Sequence, residues 1–295
     1  MKQIKRFPFT PILGWSSSRY DTFKMCQRKY YYTYYAKFDP KYSRREIDLL
    51  KTMTTIALET GNIVHDMNKV SLERLQKSEE KLNKDKYYDY VKRKTEHYCN
   101  IHKFAEIYYK EFEKINVDDI SEKVKLCLDN FLESDRFNWL TTKAVQNKSE
   151  WIIEPGGYGE TRIDGMKAYC KVDFLLPVND HYYILDWKTG KEDSEKHSKQ
   201  LLGYSTWASY HFEIVSEKIT PIIAYMFPDY KETHVTINEF DIQKFSSRVK
   251  SETDEMTDFC DNVEENIPKA KELFSMTEKT VLCGYCNFRE LCGKK

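Results

Sequence analysis

The sequence has little glycine and proline, no excess charge of either sign and no long apolar run. Glycine contributes 10 and proline 8 of the 295 residues, which fits a helix-rich chain. The 47 basic residues balance the 47 acidic ones, so a globally basic nucleic-acid-binding protein is excluded, although a locally basic one is not. No stretch approaches the roughly 18 to 20 apolar residues of a membrane span, so we expect no membrane partner.

Two further absences bear on location and partners. The first 15 residues are partly basic but hold no long apolar run, which argues against a signal peptide and predicts a cytoplasmic, reducing location. In that setting the eight cysteines indicate a metal or cluster site before disulfides. The pattern G-x-x-x-x-G-K-[ST] does not occur, so the sequence predicts no ATP motor of its own, and any helicase would be a separate partner.

The chain divides into four parts by composition. Residues 1–45 form a basic helical segment whose 11 basic and two acidic residues give a net charge of +9. Residues 46–145 predict helices throughout, interpreted as a helical insertion or cap. Residues 146–240 switch to strands. Residues 241–295 hold an acidic helix, predicted to about residue 266, and a terminal cluster of cysteines.

Aromatic residues recur at helical spacing in the first part, where Ser16–Ser18 predict the cap of a helix from about Arg19 to Tyr35. Two interpretations stay open. The rings pack into the core, or they face bases while basic side chains track phosphates. The rings are those of Tyr20, Phe23, Tyr30, Tyr31 and Tyr34, and the candidate DNA-binding cations are Arg19, Arg28 and Lys29.

Long charged amphipathic segments make up most of the second part. Helices are predicted over Tyr87–Asn116 and Asp118–Glu133. His97 and His102 are isolated and are expected to be surface or helix-packing residues.

Short strands and turns characterise the third part. Strands are predicted at Glu150–Glu154, Tyr169–Leu176, Tyr182–Trp187, Pro221–Phe227 and Thr233–Phe240, a turn at Pro155–Gly157 and a helix at Ser194–Tyr210. The residues Pro177–Asp180 predict the loop of an antiparallel hairpin.

The hairpin carries the strongest catalytic signal. With a loop at Pro177–Asp180, residues pair when their numbers add to 357, and Asp173 faces Ile184. Asp186 and Lys188 then share the face of Asp173, because strand side chains alternate with a period of two. A change of register by one residue would separate them.

Two carboxylates at one point repel each other unless a cation lies between them, and such hard oxygen ligands suit Mg²⁺ or Mn²⁺. That ion could hold a phosphate and activate water, with Lys188 beside it to position the water or neutralise charge on phosphorus. The tripeptide is weak evidence by itself, and a solvated strand end is the competing interpretation. The same acid-x-Lys pattern recurs without an upstream acidic strand at Asp39-Pro-Lys41, Glu79-Glu-Lys81 and Asp229-Tyr-Lys231.

The flanking motifs carry a family resemblance. They are Gly61-Asn-Ile-Val-His65, Asp173, Asp186-Trp-Lys188-Thr-Gly190 and Gln200-Leu-Leu-Gly-Tyr204. In this order they resemble the PD-(D/E)XK nuclease superfamily, in particular its RecB-type exonuclease branch. The resemblance implies an α/β, restriction-endonuclease-like fold in which a central mixed sheet is flanked by helices.

The same resemblance implies roles for individual residues. His65, Asp173 and Asp186 would be metal ligands together with the carbonyl of Trp187, and Lys188 would be the catalytic lysine. Gln200 and Tyr204 would orient the site and the DNA, since their i, i+4 spacing puts both on one helix face. The family also places a Glu on the preceding strand, for which Glu150 and Glu154 are both candidates.

Three cysteines cluster at the end of the chain in the pattern C-x2-C-x5-C. Cys283, Cys286 and Cys292 indicate a metal site, with Cys26 as the best fourth ligand. The spacing alone leaves zinc and an iron–sulfur cluster equally open. The resemblance to the iron–sulfur members of the branch, which have one Cys before the nuclease core and three after it, implies a [4Fe–4S] cluster that ties the two ends of the chain together.

The function that follows is metal-dependent hydrolysis of DNA, with exonuclease action on single strands or ends. DNA repair and recombination, CRISPR adaptation and phage DNA processing are the settings considered, with a helicase or an integrase-type protein as partner. Two other classes compete: a non-catalytic nucleic-acid-binding subunit with a structural metal cluster, and an interaction protein whose acidic helix docks a partner.

Overall fold

The structure is a computed structural model that describes residues 4–5, 7–78, 80, 82–154 and 161–294. The turn predicted at Pro155–Gly157 lies outside these residues. The α-helices are α1 (Ser17–Met25), α2 (Gln27–Tyr34), α3 (Arg44–Lys51), α4 (Ile56–Lys77), α5 (Lys84–Ile101), α6 (Ala105–Tyr108), α7 (Val117–Leu132), α8 (Asp135–Thr142), α9 (Ser194–Phe212), α10 (Glu239–Thr257) and α11 (Val281–Gly284). The strands are β1 (Ile152–Ile153), β2 (Thr161–Ile163), β3 (Met166–Ala168), β4 (Phe174–Val178), β5 (His181–Lys188), β6 (Ile219–Tyr225), β7 (Lys231–His234), β8 (Cys260–Asn262) and β9 (Ile267–Pro268).

The chain folds into two units, each assembled from separate segments. The first, which we call the sheet unit, contains Met1–Lys5, Thr54–Tyr158 and Cys170–Phe245. The second, the cysteine unit, contains Arg6–Met53, Gly159–Tyr169 and Ser246–Lys295. Each unit therefore combines segments from different parts of the sequence, because strand pairing and core packing join residues that are distant in the chain.

A mixed five-stranded sheet forms the centre of the sheet unit, in the order β1-β4-β5-β6-β7. The strands β5 and β6 are parallel and are connected through α9, and the other neighbouring pairs are antiparallel. A parallel pair requires such a long crossover, which is why a helix follows β5 directly. The mixed α/β fold with a central mixed sheet agrees with the fold class predicted from the sequence.

The helices α4, α5 and α7 pack with the sheet into one hydrophobic core. Phe174, Leu185 and Trp187 contribute to this core from β4 and β5. The region 46–145 was predicted to be an insertion or cap, but these helices supply a large part of the buried apolar surface of the unit. Their apolar stripes face the sheet, and burial of such surface is the main driving force for folding.

The hairpin of β4 and β5 differs from its predicted register by two residues. Phe174 faces Leu185, so paired numbers add to 359 and the turn has only two residues, Asn179 and Asp180. Both have positive φ, 50° and 62°, as a two-residue hairpin turn of this hand requires. Pro177 was assigned to the loop but lies in β4, beyond the residues that pair with β1. A shift of two keeps every side chain on its predicted face.

Several predicted helices and strands have different ends. The helix predicted from Arg19 to Tyr35 is two helices, because Cys26 has an extended backbone between α1 and α2. The helix predicted to Asn116 ends at Ile101, and the acidic helix ends at Thr257 rather than near residue 266. The last predicted strand of the third part stops at His234, and Phe240 belongs to α10.

Aromatic side chains fill the core of the cysteine unit. Phe23, Tyr30 and Tyr31 are at most 1% exposed, and the Tyr30 and Phe274 rings stack with centroids 6.4 Å apart. The core-packing interpretation is therefore correct for these three rings, and they offer no surface on which a base could stack. Tyr20 and Tyr34 are half-buried.

Candidate active site

The candidate metal ligands in the sheet unit come from segments that the fold brings together at the hairpin. His65 lies in α4, Glu154 follows β1, and Asp173 precedes β4. One ligand atom of each of the three lies within 4.8 Å of the ligand atoms of the other two. Of the two glutamates left open by the sequence, Glu154 joins this group, whereas Glu150 ends a short 3₁₀ helix, Ala144–Glu150.

His65 bridges the hairpin and the carboxylates. Its Nδ1 lies 3.3 Å from Asp173 Oδ2 and 3.8 Å from Glu154 Oε1, while Nε2 is 3.0 Å from the carbonyl oxygen of Trp187. Both ring nitrogens therefore face oxygen atoms. Burial by itself lowers the pKa of His65, but the charges of Asp173, Glu154 and Asp186 outweigh it and raise the pKa to about 10. At neutral pH the ring is an imidazolium that compensates these carboxylates.

The carboxylates fit a divalent ion. Glu154 is 7% exposed, and its Oε1 has no hydrogen-bond partner among the described residues. Its φ is 32°, a left-handed conformation that is unfavourable for a glutamate and that is commonly retained at functional sites. Two carboxylates and an imidazole form a donor set that can hold a divalent metal ion. An ion bound here would replace the charge that the His65 proton supplies.

Asp186 lies deeper than these three residues. It is 1% exposed and forms an ion pair with Lys188, and the β4–β5 register continued by one residue sets it opposite Asp173. Burial, and then the charge of Asp173, raise the pKa of Asp186 to about 7 against the opposing effect of Lys188. The pKa of Asp173 is also raised by burial, but His65 and the Trp187 N–H hold it below its usual value. The two carboxylates thus differ in protonation at neutral pH.

Lys188 is held by a chain of hydrogen bonds from α9. Its Nζ donates to Gln200 Oε1 at 3.0 Å, and Gln200 Nε2 donates to the Tyr204 hydroxyl at 2.6 Å. Burial, and then the charge of Asp186, raise the pKa of Tyr204, so its hydroxyl stays protonated. The predicted i, i+4 pair on α9 therefore lies beside the predicted lysine.

Gly61 lets α4 approach the segment after β5 closely. A Cβ at this position would lie 3.3 Å from Thr189 Oγ1, closer than most such contacts. A small residue here brings the helix turn that carries His65 next to the Asp186-Trp-Lys188 strand end. The glycine of the Gly61–His65 motif thus has a packing role that its sequence position alone does not reveal.

A cavity of about 510 Å³ opens beside the candidate ligands. Its walls include two residues that the sequence did not connect with the site, Lys171 and Glu59. The Nζ of Lys171 lies 3.4 Å from Glu154 Oε2, and its side chain is 64% exposed. Period-two alternation could have pointed to Lys171, since it stands two residues before Asp173.

The four cysteines of the predicted cluster lie in the cysteine unit, and each is half-buried. Cys26 caps α2, and its Sγ accepts a hydrogen bond from the Lys29 N–H at 3.5 Å. Burial, followed by Cys286, Cys26 and Cys283, raises the pKa of Cys292 to about 11. These thiols are thus electrostatic neighbours, but no three cysteine sulfurs of the described chain lie within 4.8 Å of one another.

The predicted DNA-binding cations have partners inside the cysteine unit. Arg19 donates from Nη1 to the Gly14 carbonyl at 2.6 Å, and its guanidinium lies 4.1 Å from the centre of the Tyr34 ring. Arg28 Nε donates to the Phe274 carbonyl at 3.0 Å. Both guanidinium groups therefore support local packing. Lys29 differs, because its hydrogen bond to the Cys26 sulfur involves the backbone N–H and not the side-chain ammonium group.

Comparison with known proteins identifies the family. The model of the PD-(D/E)XK nuclease superfamily matches residues 14–293. The chain belongs to this superfamily. Membership implies metal-dependent nuclease activity, and the His65, Glu154 and Asp173 group supplies a site for the divalent metal that PD-(D/E)XK nucleases use.

Two other comparisons add little to this assignment. A solved structure, "Crystal structure of SSO0001", aligns with 68% of this chain and 81% of its own, at 15% sequence identity and a TM-score of 0.30. No curated protein matches the chain. Within the described residues, no helix is both long and apolar enough to cross a membrane.

Proposed function

We propose that this PD-(D/E)XK nuclease hydrolyses DNA, as an exonuclease of the RecB type that acts on single strands or ends. The observation that carries the proposal is the convergence of His65, Glu154 and Asp173 beside the Asp186–Lys188 pair. This arrangement combines metal ligands with a half-buried ammonium group, and both suit phosphodiester hydrolysis. A solvated strand end would show neither the burial nor the hydrogen bonds found here.

Each residue has a distinct task in this proposal. A divalent ion, once bound, would polarise the scissile phosphate and lower the pKa of the attacking water. His65, Glu154 and Asp173 hold that ion, with Asp186 beside them. Lys188, fixed by Gln200, places its ammonium where negative charge develops on the phosphate. The products would carry 5′-phosphate and 3′-hydroxyl groups.

Binding to the phosphate backbone of DNA is supported by the local charge of the chain. Residues 1–45 carry a net charge of +9 in a chain that is neutral overall. Since Arg19 and Arg28 are engaged in packing, Lys29 and the remaining cations of this segment are the better candidates for contacts with phosphates. The proposed partner is a helicase or an integrase-type protein, since the sequence has no ATP-binding motif of its own. The proposed setting is DNA repair, recombination, CRISPR adaptation or phage DNA processing.

A [4Fe–4S] cluster bound by Cys26, Cys283, Cys286 and Cys292 is part of the proposal. The pKa of Cys292 is raised by burial and then by Cys286, Cys26 and Cys283, which supports a common site for these four cysteines. The break between α1 and α2 at Cys26 supports its role as a ligand, since it presents the sulfur at the start of a helix.

The experiment that tests the function is cleavage of 5′-labelled and 3′-labelled DNA, single-stranded and duplex, by anaerobically purified protein. Mg²⁺, Mn²⁺ and EDTA would be compared, with Lys188→Ala as the matched variant. We expect metal-dependent cleavage that Lys188→Ala reduces by at least about a hundredfold. Well-folded wild-type protein that cuts none of these substrates with either metal would contradict the proposal.

A further inference from the structure

A carboxylate and an imidazole pair beside the candidate metal site, and the carboxylate lies on the same helix as His65. Glu59 belongs to the first turn of α4 and is 1% exposed. Its Oε1 lies 2.9 Å from His102 Nδ1, and its Oε2 has no hydrogen-bond partner among the described residues. A buried carboxylate that is only partly paired is costly, so its retention calls for a reason beyond packing.

Three features of the fold fix the position of His102. The Glu59 carboxylate faces Nδ1, and the ring stacks on Tyr98 with centroids 5.6 Å apart and an angle of 6°. His102 also caps the C-terminus of α5, where the negative end of the helix dipole lies. With Nδ1 held by Glu59, Nε2 on the opposite side of the ring is the atom left for a ligand. The side chain is 38% exposed.

Glu59 and His102 line the same cavity as the candidate metal ligands. Glu59 precedes His65 by six residues of α4, which separates them by about 9 Å along the helix axis. That distance is too long for two ions that share one phosphate, which lie about 3.5 to 4 Å apart. The separation of Glu59 and His65 instead suits a contact between the Glu59 and His102 pair and a neighbouring part of the same nucleic-acid strand.

We propose that His102, held by buried Glu59, binds a phosphodiester group next to the scissile one. This inference rests on the proposed function, because it takes the occupant of the cavity to be a DNA strand. In the complex a phosphate oxygen would accept from Nε2 while Glu59 accepts from Nδ1, and exposed Lys171 would add a cation in the same cavity. The pair would fix the register of the strand relative to the metal site.

The test is the salt dependence of binding of a fluorescent single-stranded oligonucleotide, measured by anisotropy with excess Mg²⁺. A Lys188→Ala background keeps the strand intact. Each phosphate contact of a single strand contributes about 0.7 to the slope of log K against log salt. We expect His102→Ala to lower the slope by about 0.7 and to weaken binding about tenfold, as loss of a charged hydrogen bond would. His102→Arg should retain the slope.

Matched variants separate this role from a structural one. Glu59→Gln keeps a hydrogen-bonding group beside Nδ1 but removes the carboxylate that orients the His102 ring, so it should lower the slope by part of the same amount. His97→Ala changes an exposed histidine of α5, the helix that His102 caps. His97 lies outside the cavity, so this variant should change neither the slope nor the affinity. An unchanged slope in folded His102→Ala would overturn the inference.

The remaining outcomes distinguish the inference from the proposed function. Wild-type cleavage together with an unchanged slope in His102→Ala would leave the nuclease intact and remove the phosphate contact. Binding with the expected slope change, but without cleavage by wild type, would retain the contact and refute the hydrolytic function. A drop in the number of Mn²⁺ ions bound per chain in His102→Ala would identify a cation site instead and overturn the inference.

Discussion

Metal binding at the candidate site should release protons, because His65 is an imidazolium in the metal-free protein. With a pKa of about 10, His65 is almost fully protonated at pH 7, and Asp186, with a pKa of about 7, is about half protonated. His65 must lose its proton to ligate an ion, and the positive charge of an ion beside Asp186 lowers the pKa of that carboxyl so that it also loses its proton. We therefore expect release of about 1.5 protons for each ion at pH 7, and of about one at pH 8.5.

The sign of the pH dependence follows from the same values. Lower pH adds protons that the ion must displace, so affinity falls as pH falls. Each released proton changes affinity tenfold per pH unit, which predicts about 20-fold tighter binding at pH 8 than at pH 7. Calorimetric titration with Mn²⁺ in buffers of different ionisation enthalpy measures the number of protons directly.

Two variants assign the protons to residues. His65→Gln should release about one proton fewer, and Asp186→Asn about half a proton fewer at pH 7. His97→Gln, at an exposed histidine of α5, should match wild type. If His65→Gln released as many protons as wild type, the imidazolium would not be the group that the ion replaces. A binding enthalpy that is the same in all buffers would refute proton release altogether.

Further predictions concern the lysine, the close helix contact and the cysteines. Gln200→Ala should lower kcat about tenfold with metal affinity unchanged, because Lys188 loses the amide that orients it. Gly61→Ala should lower activity without lowering the melting temperature, because the new Cβ crowds Thr189 Oγ1. Adding Thr189→Ala should then restore activity. Additive losses of activity in the double variant would contradict a clash between these two residues. Cys26→Ser should lose iron from anaerobically purified protein, measured as iron per chain, whereas Cys99→Ser should retain it; an intact cluster in Cys26→Ser would exclude that ligand.

The sequence predicted which residues share a face of the hairpin better than it predicted the turn. Alternation of side chains placed Asp173, Asp186 and Lys188 together, and this survives the change of register because the shift is two residues. The turn was misplaced because Pro177 is a common strand breaker, yet here it lies beyond the part of β4 that pairs with β1. The consecutive residues Asn179 and Asp180 were the available sequence signal for a two-residue turn, because Asn and Asp adopt the positive φ that such a turn requires.

Periodicity also failed where a single residue interrupts a helix. The aromatic spacing continues from α1 into α2, so it predicted one helix, although Cys26 is extended between them. The pairing of Glu59 with His102 was equally invisible, since the residues are 43 positions apart and neither belongs to a motif. Contacts of this kind depend on the packing of α4 and α5, which hydrophobic patterns indicate only in outline.

Trp187 shows how the hydrophobic core fixes the chemistry of the site. Its ring packs in the core, with its centroid 4.8 Å from that of Phe131. Its backbone serves the opposite face, because its N–H donates to Asp173 Oδ2 at 3.0 Å and its carbonyl oxygen is 3.0 Å from His65 Nε2. The residue between Asp186 and Lys188 thus reaches the site only through backbone atoms. Its side chain serves packing alone, so the acid and the lysine on either side carry the polar side-chain chemistry of this strand end.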